Sequence, residues 1–535
     1  MIWRATDPEG NEAAKVKYEI VQYTRGLGLD IGCGPHKAFP HFIGVDSKKD
    51  TALFGIEMEP DNVVDDATRL PQVPDERLDF VFSSHLLEHI DDYQAALAEW
   101  WRVIRMGGHL VLYLPHRDLY PRIGQPGANI DHKHDFAPED ITQAMEQVAP
   151  SAGTGWDLVV NEVRGERNEY SFLQVYRKGP ALDGMTRSFQ RPRFDKTACI
   201  SRFGGFGDMI QAANLLPELK RQGYHVTFNT TPKGQDILRH DPHIDAWLIQ
   251  DDDQVPNHEL PLFWAAQARR FTKFIQLSES IEGTLLAMPG RANHMWPHSV
   301  RAVELNKNYL EWLSQLAELP YTSEAKFYPS EDEAAEARAY LGRIVAARNP
   351  ALLIGQRAQP VFTVMWVLSG SSMHKFYPWM DMVIARVLLE MPDAVFILNG
   401  DEACALLECG WELEPRVWRE SGKIGIRASL TLARQVDCVI GPETGVLNAV
   451  AFEDNAKVVF LSHSSHENLT KHWRNTTPLE PWGQHCYPCH RLHYGKEFCD
   501  EHEDTGAAMC QVKITPDRAY DAIKAAYAAW KEQQP

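Results

Sequence analysis

Leu27-Gly-Leu-Asp-Ile-Gly-Cys-Gly34 is the stretch that decides how the first third of this chain folds. A short apolar run carrying Asp30 leads straight into Gly32-Cys-Gly34. Two glycines so close together let the backbone turn sharply and approach another molecule without interference from a Cβ. Outward from this turn, residues 41–45, 78–83 and 109–114 are further apolar runs ended by turn or acidic residues. With residues 26–31, each reads as a buried parallel strand. Between them, residues 93–105 place Leu97, Trp100, Trp101 and Ile104 on one helical face. Residues 156–163 and 170–177 read as a closing antiparallel hairpin.

The turn has informative company. Asp46 ends the second strand, sixteen residues after Asp30, where one carboxylate can accept both hydroxyls of a ribose. Asp65-Asp66-Ala-Thr-Arg-Leu-Pro71, residues 79–89 and Arg102-Val-Ile-Arg-Met-Gly-Gly-His-Leu110 follow in order. A dinucleotide fingerprint would need a third glycine, and Pro35-His36-Lys37 stands in its place. Over residues 15–177 the ordered series resembles the class I S-adenosylmethionine-dependent methyltransferases. That resemblance implies a Rossmann-like domain, with the methionine part of the cofactor over Asp30, Gly32 and Gly34. It implies the ribose on Asp46 and the adenine near Asp66. Met106-Gly107-Gly108 stands where the family usually has Pro-Gly-Gly. No residue announces itself as a general base. His85, His89 and the run Asp131-His-Lys-His-Asp135 are candidates for touching an acceptor. Glu88 and His89 are read first as capping or packing a helix; His132 and His134 are open between acceptor contact and a polar surface loop.

A second signature begins at Ser201-Arg-Phe-Gly-Gly-Phe-Gly-Asp208, after a strand over residues 197–202 and at the start of a helical stretch over 211–221. Asp208 thus lies beside a glycine loop at the carboxyl end of a strand, where open α/β sheets place ligands. As the bland alternative it caps the helix. Ser369-Gly-Ser-Ser-Met-His-Lys375 offers hydroxyls, backbone donors and a cation, the inventory for a diphosphate. Val439-Ile-Gly-Pro-Glu443-Thr-Gly-Val-Leu-Asn448 reads as strand, turn and helix start. Residues 351–354, 394–398, 438–441 and 457–461 read as strands, and 516–531 as the last helix.

From about residue 197 to 530 this order of motifs resembles glycosyltransferase family 9, best known for the ADP-heptose:lipopolysaccharide heptosyltransferases. The resemblance implies a GT-B fold of two Rossmann-like domains, the first for acceptor and the second for a nucleotide-sugar, ADP-linked in the best-known members. It matches Asp208 to the catalytic base, Lys375 to the phosphate-binding lysine, and Glu443, Thr444 and Gly445 to the donor-binding Asp-Thr-Gly motif. The implied reaction is an inverting, metal-independent displacement at the anomeric carbon. Glu443 replaces the usual aspartate, and Asn448 stands where the family often has histidine.

Cys486-Tyr-Pro-Cys489, Cys499 and Cys510 form a C-x₂-C-x₉-C-x₁₀-C series. The spacing suits a structural zinc, with His485, His490 and His493 as spare ligands; two disulfides or plain packed thiols are the alternatives. Similar four-cysteine runs occur in many members of family 9. The other five of the nine cysteines are scattered.

The 535 residues, 44% hydrophobic and 24% charged, are those of a multidomain globular protein. A formal charge of −19 works against an electrostatic grip on nucleic acid, though not against a local basic groove. No run is long and apolar enough to span a bilayer, and no signal stretch opens the sequence; the expectation is a cytoplasmic protein. The division expected is a methyltransferase-like domain (1–177), a linker (178–196), and two GT-B domains (197–345 and 346–535). The function expected is a bifunctional glycan-tailoring enzyme that transfers a sugar to a saccharide or glycoconjugate and a methyl group from S-adenosylmethionine. The rivals are the same chemistries on a nucleic-acid base or a protein, and a glycosyltransferase whose methyltransferase-like domain serves only for docking.

Overall fold

The computed structural model describes residues 11–34, 36–47, 61–64, 66–166, 168–181, 187–188, 194–349, 359–492 and 497–534. Asp65, His493, the strand expected over 351–354 and most of the expected linker lie outside the described residues. The chain divides into two units, Met1–Asp195 with Leu248–Thr272, and Lys196–Trp247 with Lys273–Pro535.

The first unit is built on β1 (Gly28–Ile31), β2 (Ile43–Asp46), β3 (Asn62–Val63), β4 (Leu78–Ser84), β5 (Ile104–Pro115), β6 (Thr154–Arg164), β7 (Ser171–Pro180) and β8 (Arg187–Ser188). They form one sheet in the order β3-β2-β1-β4-β5-β7-β6-β8. β1 to β5 run parallel, and β7 is antiparallel to both β5 and β6. This is the open Rossmann-like sheet expected from the alternating runs, with the hairpin closing it. Lys178 and Pro180, read from sequence as the head of a linker, instead finish β7; the buried Lys178 ammonium donates to the carbonyls of Trp101 and Ile104. β5 starts five residues before the apolar run that announced it, because Ile104 already pairs with Leu78 and the register jumps to His109 opposite Phe80. Gly108 sits in that jump, where a Cβ would come within 2.6 Å of the Asp79 carbonyl.

The helix Tyr93–Val103 is capped by Asp92, which accepts from the Ala95 N–H at 3.0 Å. It buries Leu97, Trp100 and Trp101 against the sheet. Both indole N–H groups have partners inside, the Ala67 carbonyl and the Thr154 hydroxyl, as buried tryptophans require. On its other face the sheet buries an aromatic cluster including Phe39, Phe42, Phe80 and Phe82. Phe263 and Val255 belong to the same cluster, contributed by Leu248–Thr272. That segment is also held by the Gln254 amide, which donates to the Val21 and Thr24 carbonyls, and by Glu259, which pairs with Lys17 at 2.7 Å.

The second unit carries two sheets. β9 (Thr197–Ser201), β10 (His225–Thr230), β11 (Ala246–Ile249) and β12 (Lys273–Gln276) are ordered β11-β10-β9-β12, and the unit boundary falls within β11. β13 (Phe362–Val367), β14 (Ala394–Asn399), β15 (Val417–Arg419), β16 (Cys438–Pro442), β17 (Ala456–Phe460) and β18 (Thr476–Leu479) form an all-parallel sheet in the order β15-β14-β13-β16-β17-β18. β13, buried along its whole length, was not anticipated from sequence. The final helix, Pro516–Glu532, lays Ala519, Ile523 and Trp530 on this sheet.

Phe263 is fully buried, so Phe263→Ala should destabilise the first unit by about 3–5 kcal/mol. Urea unfolding followed in the first unit checks this; an unchanged midpoint would mean that Leu248–Thr272 is not part of that unit's core.

Candidate functional site

In the first unit the expected cofactor residues gather at the carboxyl ends of β1 and β2. Gly32 has φ +77°, its N–H donates to the Val45 carbonyl, and a Cβ on it would stand 2.8 Å from Leu86. Gly34 has φ +50°, and a Cβ there would meet nothing within 4 Å, so the turn borders open space. Asp46 accepts from the Gly34 N–H and the Ser47 N–H, each at 2.7 Å. The Asp30 carboxylate accepts from the Ala38 N–H at 2.8 Å. Burial pushes the Asp30 carboxyl up to about 7, the neighbouring Asp46 adding to this and the Ala38 N–H opposing it. Asp66 is exposed and spends one oxygen on the Thr68 N–H and hydroxyl. Two glycines without side chains, two carboxylates and open space beside the turn fit the cofactor expected there.

Close by, the residues after β4 form a cluster that brings together Glu88 and three of the candidate acceptor-contacting residues, His85, His89 and His132. Glu88 is fully buried, and neither carboxylate oxygen takes a hydrogen bond from another residue. Around Oε1 stand His85 Nδ1 at 3.8 Å, His132 Nε2 at 3.9 Å and His89 Nε2 at 4.0 Å. Burial raises the Glu88 carboxyl to about 8 and lowers the His85 imidazole to about 3. His132 reaches the cluster because the Lys133 and His134 N–H groups donate to the Glu88 carbonyl. His134 turns away and donates to the Ile90 and Asp91 carbonyls. So Glu88 caps nothing, and the two histidines of the 131–135 run part company. The signal available in sequence was His-x-x-Glu-His, three polar side chains just past a buried strand.

In the second unit, Asp208, Lys375, Glu443, Thr444 and Gly445 come together. Asp208 sits in the first turn of the helix Phe206–Ala213, accepting from the Gly205 N–H at 2.7 Å and pairing with Arg202 at 2.8 Å. Gly205, not Asp208, is therefore the residue that begins this helix, Asp208 closing the cap from its first turn, and its other oxygen meets a buried guanidinium that grips Glu282 with two bonds. Across from it the helix Gly445–Ala449 begins, with Thr444 as its cap. A Cβ on Gly445 would lie 3.1 Å from the Gly207 nitrogen, and one on Gly207 would lie 2.9 Å from the Asn448 amide. Glycine at both places lets the two helix starts meet backbone to backbone.

Glu443 is buried and well supplied: its oxygens accept from the Ser462 N–H and hydroxyl and the Ser464 N–H, at 2.6–3.0 Å. His463 lies 3.1 Å away and Lys375 donates to the Glu443 carbonyl at 2.7 Å. Burial alone would raise this carboxyl, but His463, Lys375 and the Ser462 hydroxyl hold it well below the usual carboxylate range. The Lys375 ammonium is pushed down by burial, with Glu443 and Asp208 pulling the other way. His463 continues through His374, 3.4 Å between ring nitrogens, to the Ser372 hydroxyl. The Ser462-His463-Ser464 contribution was missed because its only signal was polarity at the end of a strand.

Cys486, Cys489, Cys499 and Cys510 line one cavity of about 40 Å³, with Arg301, Arg491 and His374 beside them, and none is in a disulfide. Burial and the neighbouring thiols raise Cys489 to about 12. The thiol set suits a zinc. Among the described residues, however, the potential ligands whose atoms all lie within 4.8 Å of one another are Glu88, His89 and His132, and the thiols stand wider apart.

Asp30 gives a pH test. Its ordinary value is 3.8 and its folded value about 7, so between them the unfolded chain holds fewer protons and stability falls as pH rises. Asp30→Asn should remove that slope, gaining up to about 4 kcal/mol on the wild type between about pH 4 and about pH 8, measured by urea unfolding. Parallel pH profiles for the two proteins would refute it.

A family model described as a methyltransferase domain matches residues 29–112. No curated protein matches the chain in sequence. Among solved structures, the ADP-heptose lipopolysaccharide heptosyltransferase II of E. coli is 12% identical, with 63% of this chain and 100% of that one covered at a TM-score of 0.43. A family 9 glycosyl transferase from Veillonella parvula is 11% identical, over 62% of this chain and 98% of that one, at 0.40. A SAM-dependent methyltransferase from Thermotoga maritima, titled a possible histamine N-methyltransferase, is 18% identical, over 31% and 94%, at 0.23. The methyltransferase-domain match thus runs along the first unit's sheet, from Leu29 in β1 to Leu112 in β5.

Proposed function

We propose that the protein is a bifunctional glycan-tailoring enzyme. The first unit would transfer a methyl group from S-adenosylmethionine, and the second would transfer a sugar from a nucleotide-sugar to a saccharide or glycoconjugate acceptor with inversion. The observation that carries the sugar-transfer reading is the meeting of Asp208 with Lys375, Glu443 and Gly445 where Gly207 and Gly445 touch. Asp208 would take the acceptor hydroxyl's proton. Lys375 and the helix start at Gly445 would stabilise the departing diphosphate. Glu443, fixed ionised by its serine and histidine partners, would hold the donor side of the site in place.

S-adenosylmethionine supplies an electrophilic methyl group when bound. Asp30, Gly32 and Gly34 would seat its methionine end, Asp46 its ribose and Asp66 its adenine edge. Cys486, Cys489, Cys499 and Cys510 would hold a structural zinc that staples the loop between β18 and the last helix and takes no part in transfer. No helix among the described residues is long and apolar enough to cross a membrane, and the reading places the enzyme in the cytoplasm. The acidic net charge favours a glycan over a nucleic-acid acceptor.

Two measurements test these halves separately. Titration calorimetry with S-adenosylmethionine should give saturable binding that Asp46→Ala and Gly32→Arg each abolish; no binding by the intact protein would sink the methyl-transfer half. Asp208→Asn should lower sugar transfer by about 10²–10⁴-fold while donor affinity stays; full activity in the variant would remove Asp208 as the base.

A further inference from the structure

We propose that Glu88, His89 and His132, with His85 as a fourth side chain at hand, form a divalent transition-metal site at the methyl-acceptor position; as to the acceptor, this rests on the methyl-transfer reading above. Three observations converge on it. The ligand atoms of Glu88, His89 and His132 all lie within 4.8 Å of one another. Glu88 is completely buried with both oxygens lacking a hydrogen bond from any other residue, although three imidazole nitrogens surround Oε1 at 3.8–4.0 Å. Those gaps are too long for hydrogen bonds. Ligand atoms about 2.1 Å from a shared ion end about 3.4 Å apart in a tetrahedron, so small inward movements would close the site.

The surroundings are those of a ligand set. His85 Nε2 is engaged by the Ser171 hydroxyl at 2.9 Å, which turns Nδ1 toward Glu88. His85 holds φ +50°, in the left-handed region that few residues other than glycine occupy, and the loop bearing His132 is tied to the Glu88 carbonyl. Two imidazoles and one carboxylate leave coordination positions open, the arrangement of catalytic rather than structural sites. Imidazole nitrogens select the later first-row metals over magnesium or calcium.

The position gives the site its use. Ile31 pairs with Ser83, and Leu86 touches the Gly32 turn, so His85 and Glu88 stand beside the place where the cofactor is expected. The acceptor this geometry selects is an oxygen nucleophile, above all a sugar hydroxyl with a neighbouring oxygen that fills a second position. A hydroxyl held there loses its proton to solvent more easily. Its oxygen then bonds to the methyl carbon as the carbon–sulfur bond of the sulfonium breaks, giving a methyl ether and the neutral thioether. A general base, which no residue of the sequence announces, is then unnecessary.

Cobalt(II) titration of the metal-stripped, full-length protein tests the site, because cobalt on nitrogen and oxygen lacks the thiolate charge-transfer absorption that cobalt on the cysteines would show. One equivalent without that absorption is expected, retained in a Cys486→Ser, Cys489→Ser double variant. Glu88→Gln and His132→Ala should each weaken it by about 100-fold or more, and Ser171→Ala by about 10-fold, with circular dichroism unchanged. Should Glu88→Gln fail to fold, His132→Ala and Ser171→Ala carry the same test. The proposal is overturned if cobalt binds only with thiolate absorption, or if the nitrogen–oxygen equivalent survives His132→Ala at full affinity. Calorimetry with S-adenosylmethionine on the same sample separates the two ideas. Cofactor binding without this cobalt site sinks the metal proposal alone, and cobalt binding without cofactor binding sinks the methyl-transfer reading alone.

Discussion

Parallel strand pairing is the constraint from which both units take their chemistry. A parallel pair needs a long crossover, so every strand in such a sheet ends at the same edge, and the loops that follow are neighbours whatever their distance in sequence. In the first unit that edge collects the Gly32 turn after β1, Asp46 at the end of β2 and the His85–His89 stretch after β4. In the second it collects Lys375 after β13, Glu443 after β16 and Ser462 after β17. Pairing of β13 with β16, and of β16 with β17, brings together residues up to 89 positions apart, as His374 and His463 are.

Glycine then decides how near the ends can come. At Gly32 the need is conformational and steric at once, since φ is positive and Leu86 fills the space a side chain would take. At Gly207 and Gly445 the need is steric alone: two helix starts meet with backbone against backbone. Two partial positive charges brought so close favour negative partners around them. Asp208, which accepts from the Gly205 N–H, is such a partner, and Lys375 lies within reach of the charges of both Asp208 and Glu443.

Much of this was legible because periodic burial is written in sequence. The mainly apolar runs at β1, β4, β16 and β17 announce themselves, as does the hairpin of β6 and β7, and glycines mark the turns. What stayed hidden has physical reasons. β5 begins early because a bulge around Gly108 lets Ile104 pair before the apolar run starts. Leu248–Thr272 packs by a few residues such as Phe263 and Gln254, whose tertiary partners no local pattern encodes. The expected site residues were read from motifs. The residues that tune them, Arg202, His463 and Ser462, act through contacts made only in three dimensions.

Glu88 and Glu443 show how far such contacts reach. Both are glutamates at the end of a parallel strand or just past it, and both are buried. Burial by itself raises either carboxyl, because an ion loses its water. Glu443 has that loss made good by two N–H groups, a hydroxyl, His463 and the nearby Lys375, and its carboxyl is held far below the ordinary range. Glu88 has no donor from another residue, only three imidazole nitrogens just out of hydrogen-bonding range, and its carboxyl rises to about 8. A fold that supplies donors so fully at one buried glutamate and withholds them at the other has built two different sites. The first is complete in its own side chains; the second is complete when a cation takes the place of the missing donors.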